Sequence, residues 1–374
     1  FRSFLFFEKN NNYKYSIFIL IIISSALIIY LKDINILTGL RYFRGGADGL
    51  FHEAKGYEII NNIYNFNFYE AFRGGEDTFY FMPGLRYFIA LNKIIFGETS
   101  YGYILIAGLL PIFIYNLLKE LTSTKISFYL TLSFLVFPIF ENIGFGYFNY
   151  IGQVTRNHAE TFSITLIVIV LYLIINKKDD KKDHFLKLFL IALLLSLSTF
   201  ARPNFFPTII ILVLYLSIVS IKNKNFVNVL FILLGFSFSF LALLHNIYFG
   251  KTYHLFTISS SHFIFSELYT NLNISDFGTS KLFLQISKWN PIQYIHRLIF
   301  LLIIFFYIFR YRQNLYTYSL FLCCISQHAV LILTHPDSRY AYLAWLLTFI
   351  LFIKLTYDHK LFGSIYSKLY VKKT

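Results

Sequence analysis

The stretch FVNVLFILLGFSFSFLALLHNIYF, residues 226–249, is 24 residues long and contains no Asp, Glu, Lys or Arg. A helix needs about 20 apolar residues to cross the hydrocarbon core of a bilayer. Because lipid offers no water to the backbone N–H and C=O groups, a crossing chain must satisfy them within a helix. The stretch therefore predicts a membrane-spanning helix.

Similar apolar ranges recur along the chain. Its 374 residues are 57% hydrophobic and 14% charged, whereas soluble domains carry about a quarter charged residues. We therefore predict an all-α, polytopic helical membrane protein with about 10 transmembrane helices in a single domain, residues 1–374. The sequence starts with Phe, so we expect that residues precede it. The other predicted spans are 16–31, 102–118, 125–140, 161–175, 185–200, 204–221, 291–309, 315–333 and 339–356.

Lysine and arginine concentrate in connections between alternate predicted spans, such as NKKDDKKDH at 176–184, and in the tail 359–374. Positively charged connections stay in the cytoplasm, so we expect both chain ends there, in a bacterial inner (plasma) membrane. Basic residues spread this way indicate topology and argue against a nucleic-acid partner. The extracytoplasmic face then receives the large first loop, residues 32–101. The other polar segments on that face are 141–160, 201–204, 250–290 and 334–340.

The first loop carries the motif FRGG-x-Asp twice, at 43–48 and 72–77. Glycine adopts backbone conformations that other residues avoid, so we interpret the motifs as two similar turns. Apolar residues three or four apart predict a short helix over 48–62. Residues 85–96 are too short and too charged for a span, and they predict an interfacial helix. The loop is therefore expected to fold onto the membrane surface and direct its carboxylates at one site.

Asp48 stands at the start of the predicted helix 48–62, with His52 one turn later and Glu53 beside it. These three are the candidate catalytic residues. A carboxylate fixed there is well placed as a general base, which must lie within hydrogen-bond reach of the proton it removes. Two alternatives stay open: Asp48 caps the helix, or the Asp–His–Glu group binds a divalent metal ion.

Four more side chains on this face are candidates for a second acid or for contact with an acceptor. Glu76 and Asp77 follow the second glycine pair, where solvated loop acids are the alternative. In RNHAE, His158 and Glu160 precede a predicted span, where an acid also stabilises a helix start. The sequence leaves both interpretations open for each pair.

Three arginines on the same face are candidates for binding a phosphate. Arg202 lies in ARPN between two predicted spans, Arg339 in HPDSRY begins the last span, and Arg156 opens RNHAE. Topology needs no positive charge on this face, and the planar guanidinium group suits phosphate oxygens. The alternative is an arginine that extends its charged end to the membrane interface.

These motifs, in this order, resemble the glycosyltransferase C superfamily, especially its protein-mannosyltransferase-like and aminoarabinose-transferase-like branch. Members have one span and then a large outer loop with an acidic opening, here ADGLFHEAKGYEII, and an end like FMPGLRYFIALNKIIFGETSYGYIL. STFARPNFF and HPDSRYAYLAWLL correspond to later elements of the family. Gly49 stands where many members have a second acid, and Leu343 stands where they have a proline.

The resemblance implies transfer of a hexose or pentose from a polyprenyl-phosphate donor to a lipid, glycan or protein acceptor, with inversion, at the extracytoplasmic face. Asp48 would be the base, and Arg202, Arg339 and Arg156 would bind the donor phosphate. Beyond the divalent metal ion considered above, no cofactor is implied. The alternatives are a glycan polymerase or ligase, and a lipid or solute transporter. A transporter would carry ionisable residues in mid-membrane, and the predicted spans have few.

Overall fold

The computed structural model describes residues 12–32, 47–99, 101–137, 145–154, 156–176, 184–258, 295–333 and 338–359. Within these ranges the regular structure is helical and no strand occurs, so the all-α prediction is confirmed for this part of the chain. Short 3-10 turns at Pro203–Phe205 and Phe238–Phe240 join neighbouring helices. The α-helices are α1 Asn12–Lys32, α2 Ala47–Tyr64, α3 Phe68–Arg73, α4 Gly84–Phe96, α5 Tyr101–Leu121, α6 Thr124–Val136, α7 Tyr147–Val154, α8 Ala159–Ile175, α9 His184–Ala201, α10 Phe206–Lys222, α11 Phe226–Ser237, α12 Leu241–Tyr248, α13 Ile295–Arg310, α14 Leu315–Leu333 and α15 Ser338–Asp358.

Each range predicted as a span overlaps a helix. Among the described residues, 4 helical stretches are long and apolar enough to cross a membrane, and other apolar helices, such as α8, are shorter. The chain is therefore a helical membrane protein, while about 10 crossings and their orientation remain predictions. The four stretches are His184–Ala201, Pro203–Lys222, Phe226–Tyr248 and Arg339–Asp358.

The core forms around α8, which packs against α5 and α9. Ile164, Ile167 and Leu171 of α8 are fully buried. In the 18-residue apolar window of Arg339–Asp358, 78% is buried inside the protein, whereas in that of Phe226–Tyr248 only 28% is buried. Because an apolar surface must be covered by protein or by lipid, α15 belongs to the interior and α11–α12 form a lipid-facing edge.

Glycines determine the packing of the first loop. A side chain on Gly56 of α2 would lie 2.7 Å from Ile89 Cγ2, so glycine allows α2 and α4 to approach closely. Gly74 and Gly75 have φ values of 63° and 79°, in the left-handed region that favours glycine. The second FRGG-x-Asp motif is thus a glycine-dependent turn, while Phe43–Gly46 of the first lie outside the described residues. Helices α2 and α4 confirm the helices predicted at 48–62 and 85–96.

The contacts that join the first loop to the membrane helices include a close backbone approach at Gly84 and a hydrogen bond at Phe79. A side chain on Gly84 would lie 2.7 Å from backbone atoms of Phe200 and Ala201, at the end of α9. Buried Asn246 of α12 accepts a hydrogen bond from Phe79 N at 3.0 Å. Because α9 leads directly into Arg202, the Gly84 contact sets the start of α4 against the segment that carries this arginine.

Candidate functional site

Four charged side chains meet where α2, α8 and α15 begin and α9 ends. Arg339 Nη2 donates to Asp48 Oδ2 at 3.0 Å, and Arg339 Nε lies 3.8 Å from Glu160 Oε1. Arg202 Nη2 lies 3.0 Å from the same Glu160 oxygen. We call Asp48, Glu160, Arg202 and Arg339 the charge cluster. Four of the residues identified from sequence as candidates are thus brought together from distant parts of the chain.

Helix ends place the members of the charge cluster. Asp48, Glu160 and Arg339 are each the second residue of a helix, and Arg202 directly follows α9. The helix dipole favours the two carboxylates in the first turns of α2 and α8 and disfavours the arginine in the first turn of α15. The neighbouring carboxylates compensate that unfavourable position. Asp48 therefore makes a tertiary ion pair and does more than cap its own helix.

The two carboxylates of the charge cluster differ in exposure. The Glu160 side chain is 2% exposed and that of Asp48 is 36% exposed. A buried charge needs a partner, and Glu160 faces both guanidinium groups. Glu160 thus holds the two arginines in place, while Asp48 is the carboxylate that a molecule from outside can reach.

Tyr340 adds an aromatic ring next to both arginines. The guanidinium carbons of Arg202 and Arg339 each lie 4.8 Å from its ring centroid. Its hydroxyl accepts a hydrogen bond from Arg339 Nη2 at 2.7 Å. Cations over an aromatic face are attracted to it, so Tyr340 helps to keep two like charges close together. Tyr340 is the last residue of HPDSRY, and its contact with both arginines was not predicted from the sequence.

Two histidines lie beside the charge cluster. Burial, followed by the positive charges of Arg86 and Arg202, lowers the pKa of His52 to about 3. Burial is also the main cause that lowers the pKa of His158, with Glu160 opposing it. Both imidazoles are therefore neutral at physiological pH, and the positive charge of the site comes from its arginines.

Glu53 points into a second group of polar side chains, next to the first. Its Oε1 lies 2.9 Å from Lys93 Nζ in α4, and its Oε2 accepts from Asn157 Nδ2 at 2.7 Å. Asn157 is fully buried, has a φ of 55°, and precedes His158. Glu53 thus links α2, α4 and the turn before α8. Its contacts are those of a residue that positions this turn.

Lys93 and Asn157 are the partners that sequence reasoning missed. Burial works against the charge of Lys93, but hydrogen bonds with Glu98 and Glu53 outweigh it and raise its pKa. Lys93 is therefore an ammonium group that neutralises Glu53. The signal available from sequence was a lysine in the predicted interfacial helix 85–96, whose charge served only as an argument against a span.

Glu76 and Asp77 pair within the first loop. Glu76 Oε2 lies 2.7 Å from Arg86 Nη2, and Arg86 is fully buried. Asp77 accepts from Arg73 Nε at 2.6 Å. Burial lowers the pKa of Arg86, with Glu76 opposing this. Both acids thus have partners that stabilise the loop itself.

Arg156 lies in the turn after α7 and is exposed. After burial and the other charges of the site, its positive charge also contributes to the lowered pKa of His158. The structure therefore places Arg156 near the charge cluster, without a contact that would fix its guanidinium group there.

Within the described residues, no group of three or more His, Cys, Asp or Glu side chains could hold a metal ion. Asp48 and Glu160 both face guanidinium groups, so their charge is already matched by arginine. Glu53 is matched by Lys93. A divalent metal ion therefore remains a prediction for which these residues supply no ligand set.

No family model and no curated protein matches the sequence. The fold is similar to that of the Archaeoglobus fulgidus oligosaccharyltransferase, solved in complex with zinc and sulfate. The TM-score is 0.54 and the identity is 13%, and the similarity covers 94% of this chain and 51% of that one. This chain thus spans about half the length of that enzyme.

At this identity the similarity establishes a shared fold. Membership of the glycosyltransferase C superfamily, and of a branch within it, stays a prediction from the sequence motifs. The class defined so far is a helical membrane protein with an oligosaccharyltransferase-like fold and a charge cluster at its helix ends.

Proposed function

We propose that the protein is a membrane glycosyltransferase that moves a sugar from a polyprenyl-phosphate donor to an acceptor hydroxyl at the extracytoplasmic face, with inversion. The observation that carries the proposal is the charge cluster, in which Arg202 and Arg339 converge on Asp48 and Glu160. The similarity in fold to an oligosaccharyltransferase supports a donor in which a lipid phosphate carries a sugar.

The two arginines are the proposed phosphate-binding groups. Guanidinium N–H groups form two parallel hydrogen bonds to phosphate oxygens, and within the described part of the chain Arg202 Nε has no hydrogen-bond partner. When the bond from the sugar to the phosphate oxygen breaks, its electron pair stays on the phosphate. Fixed cations stabilise this developing charge more in the transition state than in the ground state.

Asp48 is the proposed general base. The acceptor oxygen forms a bond to the anomeric carbon from the face opposite the departing phosphate, and its proton passes to the Asp48 carboxylate. The exposed position of Asp48 suits this role, since a base must come within hydrogen-bond distance of the acceptor. Glu160, which is buried and shared by both arginines, positions them.

Transfer of a whole glycan is the second candidate, because the structural neighbour is an oligosaccharyltransferase. This reaction would use the same charge cluster with a larger donor. A panel that includes monosaccharide and oligosaccharide donors separates the two reactions. A transporter would turn over neither kind of donor.

The test is sugar transfer from radiolabelled polyprenyl-linked donors by purified protein in lipid nanodiscs. Asp48→Asn keeps the shape of the side chain and removes the base, so we expect a loss of about 100-fold or more in turnover. Asp77→Asn is the matched control from the second FRGG-x-Asp motif, and we expect a change within about twofold, since its ion pair is exposed. Equal activity of both variants would remove Asp48 from the chemistry, and no turnover by wild type would contradict the proposed function.

A further inference from the structure

Buried polar atoms without hydrogen-bond partners gather next to the charge cluster. Within the described residues they include His52 Nδ1, Asn157 Oδ1 and His158 Nδ1. The three residues are 4%, 0% and 9% exposed. An unpaired buried polar atom destabilises the folded state, and native proteins contain few of them. The two segments that carry these atoms are joined by the hydrogen bond between Asn157 and Glu53, the neighbour of His52. Three such atoms on joined segments indicate that a polar ligand completes this part of the site.

The ion pairs at the helix starts place these residues near the arginines. His52 lies one turn after Asp48, which pairs with Arg339. His158 precedes α8, two residues before Glu160, which pairs with Arg202. After burial and Arg86, electrostatic interactions with Arg202 and His158 also lower the pKa of His52. Burial lowers the pKa of His158 most; Glu160 and Asp48 raise it, and Arg339 lowers it. Asn157 is adjacent to His158 in sequence and is held by its hydrogen bond to Glu53. The unpaired atoms therefore adjoin the proposed phosphate site.

The chemistry of the three groups selects the kind of ligand. A neutral imidazole offers one N–H donor and one acceptor nitrogen, and an amide oxygen is an acceptor. Burial keeps both histidines neutral, so they do not supply charge for a second anion. Donors and acceptors of this kind match hydroxyl groups, which donate and accept at once.

A cationic ligand is disfavoured at the same place. Each neighbouring carboxylate already faces a cation: Glu53 faces Lys93, Glu160 faces Arg202, and Asp48 faces Arg339. The ring of Phe81, 5.7 Å from that of His52, adds an apolar surface beside the polar atoms. Sugars present this combination of hydroxyl groups and C–H faces.

We infer that His52, Asn157 and His158 form a subsite that binds the hydroxyl groups of an uncharged donor sugar, next to the phosphate held by Arg202 and Arg339. This inference rests on the proposed function and narrows it. The donor carries a neutral hexose or pentose, and a cationic amino sugar gains nothing from the subsite.

The test compares the affinities of three lipid probes for wild-type protein in nanodiscs. The probes are polyprenyl phosphate without sugar, a set of polyprenyl-phosphate neutral hexoses, and polyprenyl-phosphate aminoarabinose. We expect at least one neutral hexose to bind about 10-fold or more tightly than the sugarless lipid, as two or three net hydrogen bonds would give. The aminoarabinose lipid should bind no tighter than the sugarless lipid.

Variants assign the gain in affinity to the subsite. His52→Phe and His158→Phe should reduce the preference for hexose to within about threefold while the sugarless lipid still binds, which also shows that the variants fold. His52→Asn returns a polar group near the position of Nδ1 and should restore part of the preference. A preference that survives both Phe variants would overturn the assignment.

The outcomes separate the two proposals. If the sugarless lipid binds and no neutral hexose improves on it, the subsite is refuted and the proposed phosphate site stands. If the aminoarabinose lipid binds tightest, the neutral-sugar assignment is overturned. If no probe binds, the proposed function fails, and the inference that rests on it fails too.

Discussion

The two FRGG-x-Asp motifs lead to two regions that use the same residue types differently. In the second motif, Arg73 pairs with Glu70 at 2.9 Å and with Asp77 at 2.6 Å, both within four residues of it. In the first motif, Asp48 pairs with Arg339, which is 291 residues away. One region thus closes on itself, and the other depends on the packing of α2, α8, α9 and α15.

This difference separates a structural ion pair from a candidate site. Local pairs of the first kind follow from helix and turn spacing, where residues three or four apart are neighbours. The charge cluster instead brings like-charged arginines within reach of one carboxylate, and buried polar atoms beside it stay unpaired. Such an arrangement costs stability, which agrees with the proposed binding function of the charge cluster.

Loss of Glu76 sharpens the comparison with the largest expected effect. Glu76→Ala leaves the fully buried Arg86 without its counter-ion. Breaking a buried ion pair by removing one partner costs about 3–5 kcal/mol. We expect a clearly lower unfolding temperature in detergent and faster proteolysis of the first loop.

Two variants serve as controls for Glu76→Ala. Asp77→Ala removes an exposed pair and should change stability by about 1 kcal/mol or less. The double variant Glu76→Gln, Arg86→Met removes both charges and should recover most of the loss. Equal destabilisation by Glu76→Ala and Asp77→Ala would end the distinction between buried and exposed pairs in this loop.

Sequence periodicity predicted most of the helices because apolar length and spacing are local properties. Helix α2 was predicted at 48–62 and occurs at Ala47–Tyr64, and α4 was predicted at 85–96 and occurs at Gly84–Phe96. The break inside residues 226–249, where a 3-10 turn at Phe238–Phe240 separates α11 from α12, was not predicted. No proline marks this turn, so the sequence carries no plain signal for it.

The site was predicted in part. Asp48, Glu160, Arg202 and Arg339 were named as candidates, because charge near the ends of apolar spans is conspicuous. Their pairing depends on how the helices pack, and the spacing and composition of a single sequence do not reveal this packing. Lys93, Asn157 and Tyr340 join the site for the same tertiary reason. The second glycine-rich motif made Asp77 a candidate for a second acid, whereas it pairs with Arg73 in the loop.

Gly84 tests whether loop packing sets the charge cluster. Gly84→Ala would place a Cβ 2.7 Å from backbone atoms of Phe200 and Ala201, which cannot move aside like a flexible side chain. Overpacking of this kind costs about 1–3 kcal/mol. We expect a lower unfolding temperature and weaker binding of polyprenyl phosphate, because Arg202 follows the displaced segment.

Gly108 in α5 is the matched control, since a Cβ there would meet nothing within 4 Å. Gly108→Ala should be neutral or stabilising by up to about 1 kcal/mol, because alanine favours the helix. If Gly84→Ala lowers stability and leaves lipid binding unchanged, the loop contact does not position Arg202.

Arg202→Lys has the smallest expected effect. The same substitution at Arg73 in the second motif allows the two regions to be compared. Lysine keeps the charge but loses the planar guanidinium group, its second donor to a phosphate, and its stacking on Tyr340. We expect polyprenyl phosphate to bind about 10-fold more weakly, about 1.4 kcal/mol, as measured by titration in nanodiscs. Arg73→Lys in the second motif is the control and should leave the affinity within about twofold, because its pairs are local. An equal loss in both variants would mean that positive charge over the whole outer surface, rather than guanidinium geometry in the charge cluster, attracts the lipid phosphate.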